Sequence, residues 1–149
     1  MPPVDLALRL LVAAGLGGAI GIERELRQKA AGLRTNMLIA VGSALFTVIS
    51  IELARVSSTP DRIPASIVTG IGFLGAGSIL RSGKSVHGMT TAATIWVNAA
   101  VGTAAGAGLY MIATLATIIT LVVLAVLPFA EAYLDRYARV ANSRRIGDG

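Results

Sequence analysis

The stretch GIGFLGAGSILRSGKSVHGMTTAATIWVNAAVGTAAGAGLY, Gly70 to Tyr110, decides how this chain is read. It holds two apolar segments dense in glycine and alanine, each about as long as a bilayer is thick, joined by a short loop carrying Arg81, Lys84 and His87. Glycine and alanine bury little area per residue and fill a water-soluble core poorly, yet they let helix backbones approach closely in lipid. The stretch therefore reads as a packed transmembrane hairpin. Inside it Gly70, Gly72 and Gly75 spell GxGxxG, which as a dinucleotide fingerprint needs a preceding strand, a following soluble helix and an acidic residue about 20 residues on. The chain offers a polar loop and PASIVT before Gly70, and GMTTAATIW without a carboxylate downstream. Helix packing is the better reading of these glycines.

Composition agrees. Of 149 residues 54% are hydrophobic and 14% charged, with a mean hydropathy of +0.74, whereas soluble domains carry about 25% charged residues. This deficit, with several long uncharged runs, places the chain in a membrane. The absence of cysteine excludes disulfides and thiolate metal sites. The net charge of +5 does not imply nucleic acid, because the basic residues sit at helix ends rather than along one stripe. Loop asymmetry explains them.

The hydropathy pattern predicts an all-α, polytopic membrane protein with five transmembrane helices, over Leu6–Ile22, Asn36–Leu53, Pro64–Leu80, Thr90–Gly106 and Met111–Phe129. A secretory signal has its positive charges ahead of the apolar run; here Arg24, Arg27, Lys29 and Arg34 follow it, so the first helix reads as uncleaved, with the N-terminus outside and the C-terminus cytoplasmic. Arg81, Lys84, Arg136, Arg139, Arg144 and Arg145 fall on that same inner side, against Arg9, Arg55 and Arg62 outside. Residues 1–130 form the five-helix transmembrane domain and 131–149 a basic cytoplasmic tail with Tyr133 and Tyr137 at the interface. Arg9, one turn from Asp5, is expected to pair with it. Gly17 and Gly21 form a GxxxG, and Ala14 and Gly18 a second small pair. Thr35 or Asn36 is expected to cap the second helix. Thr114, Thr117 and Thr120 suggest an interhelix hydrogen-bonding face, and Asn98, near mid-depth, is expected to face other helices rather than lipid. Glu25, Arg27 and Lys29 read as an ordinary solvated loop, as does His87. The glycines from Gly70 to Gly77 weaken the third helix, which is read as tightly packed or else locally unwound.

Three blocks carry a family resemblance: IGIEREL with AGLRTNMLIAVGSALF (Ile20–Phe46), GIGFLGAGSILRSG (Gly70–Gly83) and GMTTAATIWVNAAVGTAAGAGLY (Gly88–Tyr110). In this order they resemble the MgtC/SapB family of bacterial inner-membrane proteins, from about Gly15 to Tyr110. The resemblance implies five membrane helices, a multi-pass place in the bacterial inner membrane, and a link to magnesium limitation and survival inside host cells. Many members add a soluble C-terminal domain of the ACT-like kind, for which a chain ending at Gly149 leaves no room.

Nucleophilic catalysis requires an activated Ser, Cys or Lys beside an oriented base. With a single histidine and no paired carboxylates in the spans, neither an enzyme nor a cofactor is expected. Two readings remain: a membrane protein that regulates magnesium or ion homeostasis by interacting with other membrane proteins, and an oligomeric magnesium channel or transporter. Magnesium needs oxygen ligands, usually carboxylates, and Glu23 and Glu52 lie near opposite ends of the spans, which favours interaction. The expected partners are the lipid bilayer, a second copy in a dimer packed through Gly17, Gly21, Gly70, Gly72, Gly75 and Gly77, and another membrane-protein complex. The expected site is a polar cluster at the cytoplasmic rim of Glu23, Arg24, Arg34, Asn36, Arg81, Thr90 and Thr91, with Glu23 pairing to Arg34 or Arg81. The alternative is that each of these residues caps a helix or anchors it at the headgroups. No metal ligand is assigned.

Overall fold

Proline at the first turn of a helix loses nothing, because the N–H it lacks has no intrahelical acceptor there; α1 accordingly opens at Pro3 and runs to Leu26. In the computed structural model, which describes residues 1–55, 62–82 and 85–147 (the side chains of 62, 64, 80–82, 132 and 135–147 excepted), there follow α2 (Leu33–Ala54), α3 (Arg62–Gly77), strands β1 (Leu80–Ser82) and β2 (Ser85–His87), α4 (Met89–Gly106) and α5 (Tyr110–Gly147). Glycines with positive φ sit at two junctions: Gly88 (φ 90°), which starts α4, and Gly108 (φ 80°), between α4 and α5. A side chain at either position would strain the backbone.

Several boundaries differ from the sequence reading. The segment from Arg81 to Gly88, expected to be a loop, contains an antiparallel pair of short strands in which Arg81 faces Val86 in register. The second helix starts at Leu33, before Thr35 and Asn36, and neither of these caps it. Glu25 does: its Oε2 accepts the Leu33 N–H at 3.0 Å, so Glu25 is no ordinary solvated residue. The fifth helix does not stop at Phe129 but continues past Pro128 to Gly147, through a segment rich in Ala and Arg, both good helix formers. Thr117 and Thr120 donate to Ala113 O and Ala116 O one turn back on their own helix, at 2.9 and 2.7 Å, rather than across to a neighbour. Residues 56–61, Gly83 and Lys84, and the side chains of Arg62, Arg81, Arg136, Tyr137, Arg139, Arg144 and Arg145, to which the charge asymmetry also appeals, lie outside the described residues.

Among the described residues, three helical segments are long and apolar enough to cross a membrane: α1, α2 and Tyr110–Glu131 of α5. The apolar part of α3, Ala65–Gly77, is shorter. In α4 Thr90, Thr91, Thr94, Asn98 and Thr103 dilute the apolar character. Large hydrophobic side chains point outward all round, among them Val4, Leu11, Phe73, Met111 and Phe129. That is the surface expected of a chain whose outer solvent is lipid.

The interior is made of small residues. Ala13, Ala40, Ala44, Val101, Ala105 and Ala113 form the buried core between α1, α2, α4 and α5. Asn98 meets Asn36, Gly102 meets Ala40 and Gly106 meets Ala44, so α2 and α4 run parallel. Gly17 lies on Ala40 and Gly21 on Leu33, which sets α1 antiparallel to α2. At the far end of α1, Arg9 bonds Asp5 Oδ2 at 3.1 Å, as expected, and also donates to Gly106 O at 2.7 Å, capping α4. Near the other end Arg27 donates to Ala125 O of α5 at 3.4 Å.

These approaches are close enough to be tested. A Cβ on Gly102 would collide with the backbone carbonyl of Ala40, whereas one on Gly72 would meet nothing within 4 Å. Gly102→Ala is therefore expected to destabilise the protein by about 1–3 kcal/mol, while Gly72→Ala leaves it unchanged or slightly stabilised, as read by thermal unfolding in detergent micelles.

Candidate functional site

The last turn of α1 points charged residues into the bundle. Glu23 and Arg27 are one helical turn apart, the spacing at which side chains meet, and Arg27 Nε lies 2.5 Å from Glu23 Oε1. Arg24 is 3% exposed; its Nη1 lies 3.9 Å from Glu23 Oε2. Neither Glu23 oxygen has a partner in hydrogen-bond geometry, so charge holds this carboxylate. Arg24 Nη2 donates to Thr91 Oγ1, in the first turn of α4, at 3.1 Å. Arg24 Nε is buried without an acceptor.

A second polar knot lies beside the first. Asn36, fully buried, donates through Nδ2 to Ala31 O at 2.8 Å and Gly32 O at 2.9 Å, holding the turn that precedes α2. Asn98, equally buried, donates through its own Nδ2 to Asn36 O at 2.7 Å and Asn36 Oδ1 at 3.0 Å. Its inward orientation is the expected one, since an amide facing lipid would lose its bonds. Thr94 donates to Thr90 O, 2.7 Å away on its own helix.

The predicted rim cluster is thus divided. Glu23, Arg24 and Thr91 meet, and Asn36 lies against Gly21, three residues before Arg24 on α1. Thr90 is exposed and engages through its carbonyl alone. Arg34 is exposed and does not pair with Glu23, whose cations are Arg27 and Arg24. The side chain of Arg81 lies outside the described residues. Arg27 is not the ordinary solvated residue expected of it, and the signal that marks it is its four-residue spacing from Glu23. Among the glycines, Gly17 and Gly21 sit in tight helix contacts and Gly75 in an ordinary one against Ala92 at 3.7 Å, whereas Gly70, Gly72 and Gly77 meet nothing within 4 Å.

Of these open glycines, Gly70 and Gly77 border the other feature of the site. Between α2 and α3, floored by Thr91 and Ile95 of α4, lies a groove of about 970 Å³ with Arg34 and Thr35 among its lining residues. Gly75 rests on Ala92 near the start of α4, which puts the C-terminal end of α3 beside the Arg34 end of α2. Among the described residues no three His, Cys, Asp or Glu side chains converge in a way that would hold a metal ion. Among the described residues the arrangement provides a buried ion pair, an amide clamp and an apolar groove with Arg34 at one end.

Residues 10–133 match the MgtC family. The chain is 55% identical over 111 residues to the Synechocystis protein slr0014, which covers 74% of this chain and 47% of that protein. It is 54% identical over 126 residues to the protein MgtC of Brucella abortus (85% of this chain, 52% of the relative). It is 46% identical over 129 residues to the Escherichia coli protein named "Putative magnesium transporter YhiD" (82% and 60%). The chain therefore spans about half the length of these relatives. No solved structure matches it.

The amide clamp yields a prediction. Asn98→Leu leaves the Asn36 carboxamide oxygen and backbone carbonyl without their buried donor, which costs about 1–3 kcal/mol. Thr120→Val removes a hydroxyl bonded only within its own helix and costs about 0.6 kcal/mol or less. Thermal unfolding of the two variants in the same micelles should separate them by several degrees.

Proposed function

The chain belongs to the MgtC family, and we propose that it serves magnesium homeostasis as a multi-pass protein of the bacterial inner membrane that regulates other membrane proteins by docking rather than by conducting the ion. The observation that supports this reading is the closed interior. Gly102 and Gly106 lie against the backbones of Ala40 and Ala44, Gly17 lies against Ala40, and Asn98 is tied to Asn36 between them. Magnesium keeps several waters and is bound through carboxylates, and among the described residues a seam packed to backbone contact leaves a hydrated ion no way between α1, α2 and α4. Glu23, in the last turn of α1, is already charge-paired with Arg27 and Arg24. A second reading, an oligomeric magnesium channel or transporter, is favoured by the name of the Escherichia coli relative.

Five spans with the N-terminus outside and the C-terminus inside fit this proposal. In support, α1, α2, α3 and α4 alternate in direction, and Arg24, Arg27 and Arg34 gather at one end while Arg9 and Arg55 occupy the other.

Two measurements test these statements. Purified protein in liposomes is expected to give no magnesium uptake above protein-free vesicles, while its expression restores growth in low magnesium to cells that lack their own copy; protein-dependent uptake would replace docking with transport. Reporter fusions at Ser58 and Ser143 are expected to report opposite sides of the membrane, and the same side for both would overturn the orientation.

A further inference from the structure

We propose that the groove between α2 and α3 holds one anionic phospholipid, its acyl chains along the apolar walls and its phosphate at Arg34. The proposal stands independently of the regulatory reading. Four observations carry it.

The first is charge. Among the described arginine side chains, Arg9 bonds Asp5 and Gly106 O, Arg24 bonds Thr91, Arg27 pairs with Glu23 and Arg55 with Glu52. Arg34 alone of these has no hydrogen-bond or ion-pair partner, and it is exposed at the mouth of the groove. A planar guanidinium matches a phosphate bidentately, and basic pockets between membrane helices are recurrent sites for anionic headgroups. Thr35 beside it, also exposed, adds a hydroxyl.

The second is shape. The volume of about 970 Å³ lies at the upper end of the ~300–1,000 Å³ of sites that enclose whole small molecules. The walls are apolar, from Leu38 and Phe46 on α2 to Ile67 and Leu74 on α3. The third is what makes the groove deep. Gly70 and Gly77 line it, and a Cβ on either would meet no neighbouring element within 4 Å among the described residues; the missing side chains leave room that none of the described residues fills. The fourth decides between occupants. A second copy seated here in the same membrane orientation would bring two Arg34 ends together, in a chain whose net charge is already +5. Like charges repel, whereas a phospholipid supplies the missing counter-charge.

The test uses the full chain, purified and delipidated in detergent, with phosphatidylglycerol and phosphatidylcholine of identical acyl chains titrated separately and read by native mass spectrometry. Wild type is expected to retain one phosphatidylglycerol about tenfold more tightly than phosphatidylcholine, the value of a single charge-assisted contact. Arg34→Gln should abolish that preference while leaving the weaker, acyl-driven binding. Gly70→Leu, which fills open space and removes a helix-weakening glycine, should reduce binding of both lipids with no loss of thermal stability. Arg55→Gln, at the opposite end, should match wild type. Equal affinity of wild type for the two lipids, a preference that survives Arg34→Gln, or unchanged binding in Gly70→Leu would each overturn the proposal. A lipid-free dimer that Gly70→Leu dissociates would also overturn it, by assigning the groove to a second copy.

Discussion

The structure depends on the contact between α2 and α4. Asn36, Ala40 and Ala44 recur every four residues on one helix, and Asn98, Gly102 and Gly106 recur at the same interval on the other, each pair 62 positions apart. Two parallel helices can hold such a register only if their backbones nearly touch, and Gly102 and Gly106 are what permit it. In lipid there is no hydrophobic gain from bringing two apolar helices together, so association rests on van der Waals contact and on buried hydrogen bonds. The glycines supply the first and the Asn98 amide the second. With α2 and α4 fixed, α1 lies across both through Gly17, and its last turn is thereby aimed at the start of α4. The buried position of Arg24 follows from that geometry.

Much of this is legible in the sequence. Apolar runs separated by basic clusters mark the five helices, and their expected limits err mainly where local capping decides: Glu25, reaching forward eight positions to Leu33, has no signature at the short spacings that capping rules recognise. The same holds for the strand pair before α4, whose residues are too few to show a period. Gly17–Gly21 stands out as a GxxxG. Gly102–Gly106 is the same motif and forms the tighter seam, but it lies in a stretch so rich in small residues that nothing distinguishes one face from another. Which small residue meets which is a tertiary fact.

The candidate site shows the limit more sharply. Glu23, Arg24 and Arg34 belong to one short charged segment and look alike in the sequence, yet Arg24 is 3% exposed and Arg34 faces outward at a groove. The difference is rotational. On α1, Arg24 falls seven residues after Gly17 and three after Gly21, on the stripe that packs against α2. Arg34, on the second residue of α2, precedes Asn36 on a different side of the helix. The period of the small residues, projected onto the charged turn, is the sequence signal that separates Arg24 from Arg34.

Thr91 joins the two halves. Its hydroxyl accepts the Arg24 bond, and its residue also forms part of the groove floor. Arg24 already carries a buried Nε without an acceptor, so removing Thr91 from Nη2 would leave an arginine in low dielectric with Glu23 as its nearest counter-charge at 3.9 Å. Uncompensated buried charge is among the costliest defects a fold can hold. The first turn of α4 is therefore held where it is by a charge on α1, and the floor of the groove is held with it. Whatever occupies the space between α2 and α3 rests on a surface whose position the buried ion pair sets. An occupant that pressed on Thr91 would act first on Arg24 and, through it, on Glu23 and Arg27 at the basic end of the bundle.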